Sequence, residues 1–211
     1  MKRTITILIL AAAWSLLSCP VAGLADPTGI PDVTLSTATV PSPGPFSVYT
    51  RPDGEGHPLS AAYLMDGQEA DATITLHLVD ANGDPIYLYP FEDLWLEGNA
   101  GPLVLCPGGS IADDYTDING YTTFSNPIYG GGQGWGVVVL VSGLALTQPP
   151  LPISFNSPDI TGDLVANITD IVPFGMDWLG TYNYRSDFFY DGVIDISDIA
   201  LFAQGMGASC P

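Results

Sequence analysis

The chain carries one twelve-residue acidic pattern twice, and this repeat decides how the C-terminal part folds. Residues 159–170 read DITGDLVANITD, and residues 187–198, which begin 28 positions later, read DFFYDGVIDISD. Both copies have Asp at positions 1, 5 and 12, Asn or Asp at position 9, and a hydroxyl residue at position 11. Apolar residues with helical spacing follow each copy. The repeat therefore predicts two short helices, each preceded by an acidic loop.

The spacing of the acidic residues matches the ligand chemistry of a hard cation. Ca²⁺ takes about six to eight oxygen ligands, and a twelve-residue loop supplies them from side chains at positions 1, 3, 5, 9 and 12 and from a carbonyl at position 7. Position 12 falls in the following helix, near the positive end of the helix dipole. The repeat therefore predicts two calcium sites.

The residues that follow each loop predict which helix faces are buried. We expect one buried stripe in each helix, formed by Ile171, Phe174, Trp178 and Leu179 in the first and by Ile199, Leu201 and Phe202 in the second. Thr169 and Ser197 stand where they are expected to cap the two helices. Because each helix is short, we expect the two apolar faces to pack against each other.

Paired EF-hand-like loops with Asp rather than Glu at position 12, within the 53 residues from 159 to 211, resemble a dockerin domain. Dockerins bind two calcium ions and attach their proteins to a cohesin on a scaffold or cell surface. The resemblance implies these first-site ligands: Asp159, Thr161, Asp163, Val165 through its carbonyl, Asn167 and Asp170. It implies these second-site ligands: Asp187, Asp191, Val193 through its carbonyl, Asp195 and Asp198.

Each loop departs from the dockerin pattern at one position. Phe189 occupies position 3 of the second loop, where no side-chain oxygen is then available, so we expect a weaker site or a water in its place. Leu164 replaces the Gly usual at position 6 of the first loop. A non-glycine residue forced to positive φ costs on the order of 1 kcal/mol.

Positions 10 and 11 of dockerin loops commonly contribute to cohesin recognition. In this chain they are Ile168 with Thr169 and Ile196 with Ser197. The resemblance implies two similar partner-binding faces related by an internal two-fold axis. The alternative is that both isoleucines help to close the small core.

Residues 46–155 have a different sequence pattern, in which short segments of alternating apolar and polar residues lie between turn residues. Residues 72–79 put Ile74, Leu76 and Leu78 on one face, and the Asn-Gly turn in residues 80–85 follows them. About seven such segments favour an antiparallel sandwich. Residues 72–86 and 116–124 resemble bacterial Ig-like domains of the adhesin (Big-1) type. That resemblance implies an Ig-like β-sandwich that serves as a spacer or adhesive module and carries no catalytic residue.

The charge of the chain excludes several classes of partner. Asp and Glu number 23 against 4 Lys and Arg, and two of those four, Lys2 and Arg3, lie in the predicted leader. Such a chain repels phosphate backbones and anionic lipids, so nucleic-acid binding is not expected. Free divalent cations are the partners that this charge favours. The 24 Gly and 19 Pro favour short strands and turns over long helices.

Residues 1–25 have the basic start and short apolar run of a signal peptide, which predicts a secreted protein. The alternative is a lipoprotein attached through Cys19, because the residues before it resemble a lipobox. No other stretch is long enough to span a membrane, and residues 136–141 are expected to form a buried strand. Export permits Cys106 and Cys210 to pair, but the spacing leaves two free thiols equally open.

These observations predict a mainly β, secreted, non-enzymatic protein of two modules. A Pro-rich lead-in at residues 26–45, with one edge strand within 33–40, precedes an Ig-like β-sandwich at 46–155. A small α dockerin-like pair of calcium loops follows at 156–211 and docks the chain to a cohesin-like extracellular or cell-surface partner. Two alternatives are a carbohydrate-binding or small carbohydrate-active module, with glycan bound at Trp95 or Trp135, and a purely structural calcium-stabilised cap.

Overall fold

The computed structural model describes residues 27–211, so the predicted signal peptide and Cys19 lie outside the described residues. This part of the chain contains twelve strands: β1 Thr37–Thr39, β2 Phe46–Tyr49, β3 Ala62–Leu64, β4 Glu69–Ala70, β5 Ile74–His77, β6 Leu94–Ala100, β7 Val104–Leu105, β8 Tyr121–Phe124, β9 Gly130–Gly131, β10 Gly134–Val141, β11 Leu144–Ala145 and β12 Leu151–Asn156. It also contains two α-helices, α1 Ile168–Leu179 and α2 Ile196–Gly205. Three short 3-10 helices lie at Leu59–Ala61, Phe91–Asp93 and Tyr184–Ser186.

The strands form two main sheets and one small ribbon. The larger sheet has the order β11-β10-β12-β2-β3-β4, with β6 also paired to β10, and the smaller sheet has the order β1-β5-β8. Strands β7 and β9 pair separately. All pairs are antiparallel except β2 with β12, which run parallel. The expectation of a wholly antiparallel sandwich is therefore wrong at this pair, because alternating apolar residues fix which face is buried and not the direction of a distant neighbour.

One hydrophobic core lies between the two main sheets. Ile74, Leu76 and Leu78 are fully buried, as the alternation in residues 72–79 predicts. They belong to the same cluster as Phe46 from β2 and Phe155 from β12. The mainly β class is thus confirmed, with antiparallel strand pairs except between β2 and β12.

The Pro-rich lead-in contributes more to the core than its composition indicates. It forms the predicted edge strand as β1, which pairs with β5 so that Ala38 lies opposite Leu76. Ala38 is buried and belongs to the main core. Residues 37–39 are therefore part of the sandwich rather than only an extended lead-in.

No helix within residues 27–211 is long and apolar enough to cross a membrane. The apolar run at residues 136–141 forms part of β10, and Val137, Val139 and Val141 are buried there. The prediction of a buried strand at this position is confirmed.

The helical region packs directly against the sandwich. A second apolar cluster joins Ile160, Phe174, Phe188 and Phe202 with Tyr49, which belongs to β2. The Tyr49 hydroxyl donates a hydrogen bond to the Leu201 carbonyl at 2.7 Å. A disulfide joins Cys106 and Cys210, which settles the pairing that the spacing left open. The helical region and the sandwich thus share a packed boundary and a covalent link.

Candidate functional site

Each acidic loop ends in a helix that is capped by the residue at loop position 9. The Asn167 side chain accepts a hydrogen bond from the Thr169 backbone N–H at 2.9 Å, and the Asp170 carboxylate accepts one from the Asn167 N–H at 2.9 Å. Asp195 caps α2 in the same way. The prediction that Thr169 and Ser197 are the caps is therefore wrong. Position 9 has the extended backbone of a capping residue, and position 11 already lies in the first turn.

The first loop is wrapped around two buried carboxylates. Asp159 is fully buried, and its oxygens accept hydrogen bonds from the backbone N–H groups of residues 162–164 at 2.7 to 3.2 Å. The Thr161 hydroxyl donates to Asp159 at 3.3 Å. Asp170 is also fully buried and accepts from the Thr161 N–H at 2.9 Å. Positions 1 and 12, which lie eleven residues apart, thus face the same loop backbone.

The second loop repeats this arrangement. Asp187 is fully buried and accepts hydrogen bonds from the backbone N–H groups of Asp191 at 3.2 Å and Gly192 at 3.0 Å. The Tyr182 hydroxyl donates to it at 2.7 Å. Asp198 is fully buried and accepts from the Phe189 N–H at 3.0 Å. The sequence repeat therefore corresponds to a repeat in hydrogen bonding.

Both loops hold one non-glycine residue in the left-handed region. Leu164 has a φ of 67°, which confirms the strained position expected in the first loop. In the second loop Gly192 occupies position 6, but Tyr190 at position 4 has a φ of 56°. Gly162 occupies position 4 of the first loop with a φ of 71°. Each loop therefore uses one glycine and one strained residue at these two positions, and the sequence reasoning missed Tyr190.

The buried carboxylates have no cationic side chain beside them. The two arginines of residues 27–211 pair elsewhere, Arg51 with Asp53 at 2.6 Å and Arg185 with Asp177 at 2.6 Å. Burial raises the pKa of Asp159 and of Asp187 above the ordinary range of aspartate. Burial also raises the pKa of Asp198, to about 6. Desolvation thus disfavours the anionic form of these groups, and a cation in the loops would favour it.

The other predicted ligands lie nearer to the surface. The Asp163 and Asp191 carboxylates each accept a hydrogen bond from the backbone N–H of the valine two residues on, Val165 and Val193, at 3.0 Å. The Asn167 side-chain N–H donates to the Val165 carbonyl at 2.8 Å. These oxygens belong to the same two loops, on the side nearer to solvent than the buried carboxylates.

Within residues 27–211, no group of three or more His, Cys, Asp or Glu side chains is arranged so that it could hold a metal ion. In this structure the carboxylates at positions 1 and 12 face backbone N–H groups of their own loops. The chemistry of the donor set nevertheless fits calcium, because the predicted ligands offer only oxygen atoms and carry several negative charges. The first loop has all of the predicted oxygens, and the second lacks one at position 3.

Phe189, at position 3 of the second loop, contacts the sandwich. Its ring centroid lies 5.1 Å from that of Tyr63 in β3. A Cβ added to Gly67, in the turn after β3, would come within 2.7 Å of the Phe189 ring. The Gly67 N–H donates to the Tyr190 carbonyl at 3.2 Å. Sequence reasoning treats Phe189 as a defect of the loop, because only the folded chain shows which surface it meets.

The predicted docking residues at position 10 are on the surface. Ile168 is 75% exposed and Ile196 is 72% exposed, so the alternative that they close the small core is wrong. Thr169 is exposed, while Ser197 is partly buried and its hydroxyl donates to Asp195 at 2.7 Å.

Helix α1 exposes an apolar face that was expected to be partly buried. Five large apolar side chains on it are 46% to 86% exposed: Ile168, Ile171, Val172, Met176 and Leu179. The expectation that Ile171, Trp178 and Leu179 are buried is therefore wrong, and only Phe174 of that stripe is buried. The helix instead buries a narrow stripe of Asp170, Phe174 and Asp177, because α1 turns its carboxylates toward the loop and toward Arg185.

Helix α2 does not present an equivalent face. It buries Asp198, Phe202 and Gly205, which correspond to the buried residues of α1 in the 28-residue repeat. Its exposed positions, however, carry Ala200, Ala203 and Gln204 after Ile196. The two faces are thus alike at position 10 and differ along the rest of the helix.

No known protein family matches this chain, and no curated protein does. Among solved structures, the filamin domain of Lin-41 aligns with 61% of this chain and with 97% of its own length, at 18% sequence identity and a TM-score of 0.31.

Proposed function

We propose that residues 156–211 bind calcium and dock the chain to a cohesin-like extracellular protein. In this proposal the Ig-like sandwich is a non-catalytic spacer or adhesive module. The observation that carries the proposal is the exposed apolar face of α1, which begins directly after a loop with two buried carboxylates. The dockerin-like spacing of both loops supports the same function.

Calcium is the first part of the proposal. A bound calcium ion supplies positive charge beside the buried carboxylates and couples the order of the loop to the start of the helix. Asp159 and Asp170 hold the ends of the first loop together, and Asp187 and Asp198 do so in the second. We expect the first site to bind more tightly, because Phe189 offers no side-chain oxygen to the second.

Docking is the second part. A contiguous apolar patch on a protein surface commonly marks an interaction site. The exposed face of α1 carries no charged residue, since both acidic residues of the helix, Asp170 and Asp177, are buried. The rest of the chain is strongly acidic, so a partner with an apolar centre and a neutral or basic rim complements it. The cohesin identity of that partner comes from the dockerin resemblance.

Export is the third part. The disulfide between Cys106 and Cys210 supports an extracellular location, because disulfides persist mainly in oxidising compartments. The signal-peptide pattern of residues 1–25 is a separate argument for the same location.

Calorimetric titration of the full chain with calcium tests the first part. We expect EGTA-reversible heat of binding, a tighter site lost in Asp159→Asn and a weaker site lost in Asp187→Asn. Asp80→Asn is the control, because residues 80–84 form an acidic turn with no helix after it. Absence of binding heat together with a melting temperature that calcium leaves unchanged would refute the calcium proposal.

The 28-residue repeat provides matched variants for the docking test. Met176 and Gln204 occupy equivalent, exposed positions of α1 and α2. We expect Met176→Glu to weaken binding to purified cohesin modules at least tenfold, because it places a charge in the apolar face. We expect Gln204→Glu to change binding little. If no purified cohesin binds the calcium-loaded chain, or both variants bind as the parent does, the docking proposal fails.

The second candidate function of residues 156–211 is that of a calcium-stabilised cap, which stabilises the sandwich and binds no partner. Its support is the packing of the helical region on the sandwich, through Tyr49 and Phe189 and the disulfide. Calcium would then raise the melting temperature of the full chain, and no cohesin would bind. The two experiments together therefore separate the two functions.

A further inference from the structure

A cleft on the side of the sandwich is lined by no residue of the two acidic loops or the two α-helices. Its main cavity, of about 480 Å³, lies between the segment 107–113 and the segment 124–129, with Phe91 and Tyr129 in its lining. An adjoining hollow of about 290 Å³ is lined by Trp95, and both share residues 108, 110 and 111. The two hollows thus adjoin each other at these shared residues, and together we call them the cleft; the main cavity alone has the size of a small-ligand site.

Backbone hydrogen bonds hold both walls of the cleft in place. Segment 110–112 lies alongside β6, and the Ala112 N–H donates a hydrogen bond to the Leu94 carbonyl at 3.0 Å. The turn at residues 106–109 is bonded to Tyr129 twice, each time at 2.9 Å. The disulfide from Cys106 adds a covalent anchor to that turn. The cleft is therefore formed before any ligand enters, which lowers the entropic cost of binding.

Polar groups at the cleft are oriented by neighbouring side chains. The Asp113 carboxylate accepts hydrogen bonds from the Thr123 hydroxyl at 2.7 Å, the Ser125 hydroxyl at 2.8 Å and the Asn126 side-chain N–H at 2.8 Å. The last of these hydrogen bonds fixes the orientation of the side-chain amide of Asn126, which is exposed. In the adjoining hollow, the Trp95 ring N–H donates to Glu97 at 3.1 Å. The cleft thus combines aromatic surfaces with positioned hydrogen-bonding groups.

The charge around the cleft restricts its ligand. Glu92, Glu97 and Asp113 line it, and residues 27–211 contain no lysine. An anionic ligand would be repelled and would find no free cation, since both arginines pair with aspartates. For a cationic ligand the cleft offers less than its charge indicates, because the carboxylates of Asp113 and Glu97 already accept hydrogen bonds from neutral side chains. A neutral molecule with many hydroxyl groups and an apolar face matches both the carboxylate acceptors and the aromatic rings.

We propose that this cleft binds a neutral carbohydrate, with Trp95 and Tyr129 contacting the apolar face of the sugar rings and Asn126 and Glu97 bonding their hydroxyl groups. The sandwich then has a ligand of its own, in addition to the partner proposed for α1.

Affinity electrophoresis of the full chain tests the cleft, in gels that contain soluble neutral β-glucan, xylan, galactomannan or starch. We expect at least one polysaccharide to retard the parent chain, and we expect Trp95→Ala and Asn126→Ala to reduce its affinity at least tenfold. Trp135→Ala is the matched control, because this exposed tryptophan of β10 does not line the cleft. Thermal melting verifies that each variant is folded. If Trp95→Ala does not fold, Asn126→Ala at its exposed position provides the test.

Three results would overturn the inference. The first is no retardation by any neutral polysaccharide, including the case in which only a basic peptide or an anionic polysaccharide binds. The second is retardation that Asn126→Ala and Trp95→Ala leave unchanged. The third is retardation that is lost in Trp135→Ala and retained in the two cleft variants.

Discussion

Replacing Phe189 with Asp tests whether the second loop has exchanged a calcium ligand for a contact with the sandwich. The substitution removes the ring from its contact with Tyr63 and Gly67. It also places a carboxylate at position 3, where loops of this kind provide an oxygen ligand. We therefore expect opposite effects in the absence and presence of calcium: weaker packing in EGTA, and tighter calcium binding at the second site.

The size of each effect follows from burial and from linkage. Loss of a fully buried Phe costs about 3–5 kcal/mol, and because Phe189 is only partly buried we expect a loss of about 2 kcal/mol in EGTA. A fall in the calcium Kd from roughly 1 mM to roughly 0.1 mM adds about 1.3 kcal/mol of stability at about 10 mM calcium. The free energy of unfolding of Phe189→Asp should therefore lie less than about 1 kcal/mol below that of the parent chain when calcium is present.

Urea unfolding of the full chain, followed by tryptophan fluorescence in EGTA and in calcium, measures both effects. Phe189→Ala is the control, because it removes the ring without adding an oxygen and should lose stability equally in both conditions. If Phe189→Asp and Phe189→Ala have the same stability in calcium, position 3 of this loop does not face a calcium ion. If neither variant loses stability in EGTA, the contact with Tyr63 contributes nothing.

Three further predictions concern the boundary and the helix start. Tyr49→Phe removes the hydrogen bond to Leu201 and should lower the free energy of unfolding by about 1 kcal/mol; an unchanged urea midpoint would contradict this. Asn167→Ala should cost about 1 kcal/mol and lower the helical signal in circular dichroism, while Asn167→Asp, which keeps the capping oxygen, should not; equal loss in both variants would exclude the capping role. Replacing both Cys106 and Cys210 with Ser opens a loop of 104 residues and should cost about 2–5 kcal/mol, and a melting temperature equal to that of the oxidised parent would contradict this.

The helical region depends on contacts with the sandwich for part of its packing. Tyr49 of β2 belongs to the same apolar cluster as Phe174, Phe188 and Phe202. The Asn156 side-chain N–H, at the end of β12, donates to the Asp187 carbonyl at 2.6 Å. A segment cut at residue 156 would lose these contacts, so its behaviour with calcium would not report on the full chain.

Much of the local structure could be predicted from the sequence. The repeat at 159–170 and 187–198 predicted two loops followed by two helices, because an acidic loop pattern and a helical apolar pattern depend on residues close together in the chain. The buried face of residues 72–79 and the positive φ of Leu164 were predicted for the same reason. Neighbours within about a dozen residues are enough to determine such features.

The sequence by itself thus determined that the chain has short strands, two acidic loops and two capped helices. Only the tertiary structure decided which face of α1 is exposed, that β2 and β12 run parallel, and that Phe189 meets Tyr63. It also decided that Cys106 and Cys210 are joined and that distant loops form one cleft. The physical reason is that burial and pairing depend on which distant surfaces meet, and an apolar residue has the same local pattern whether it faces a core, a neighbouring module or solvent.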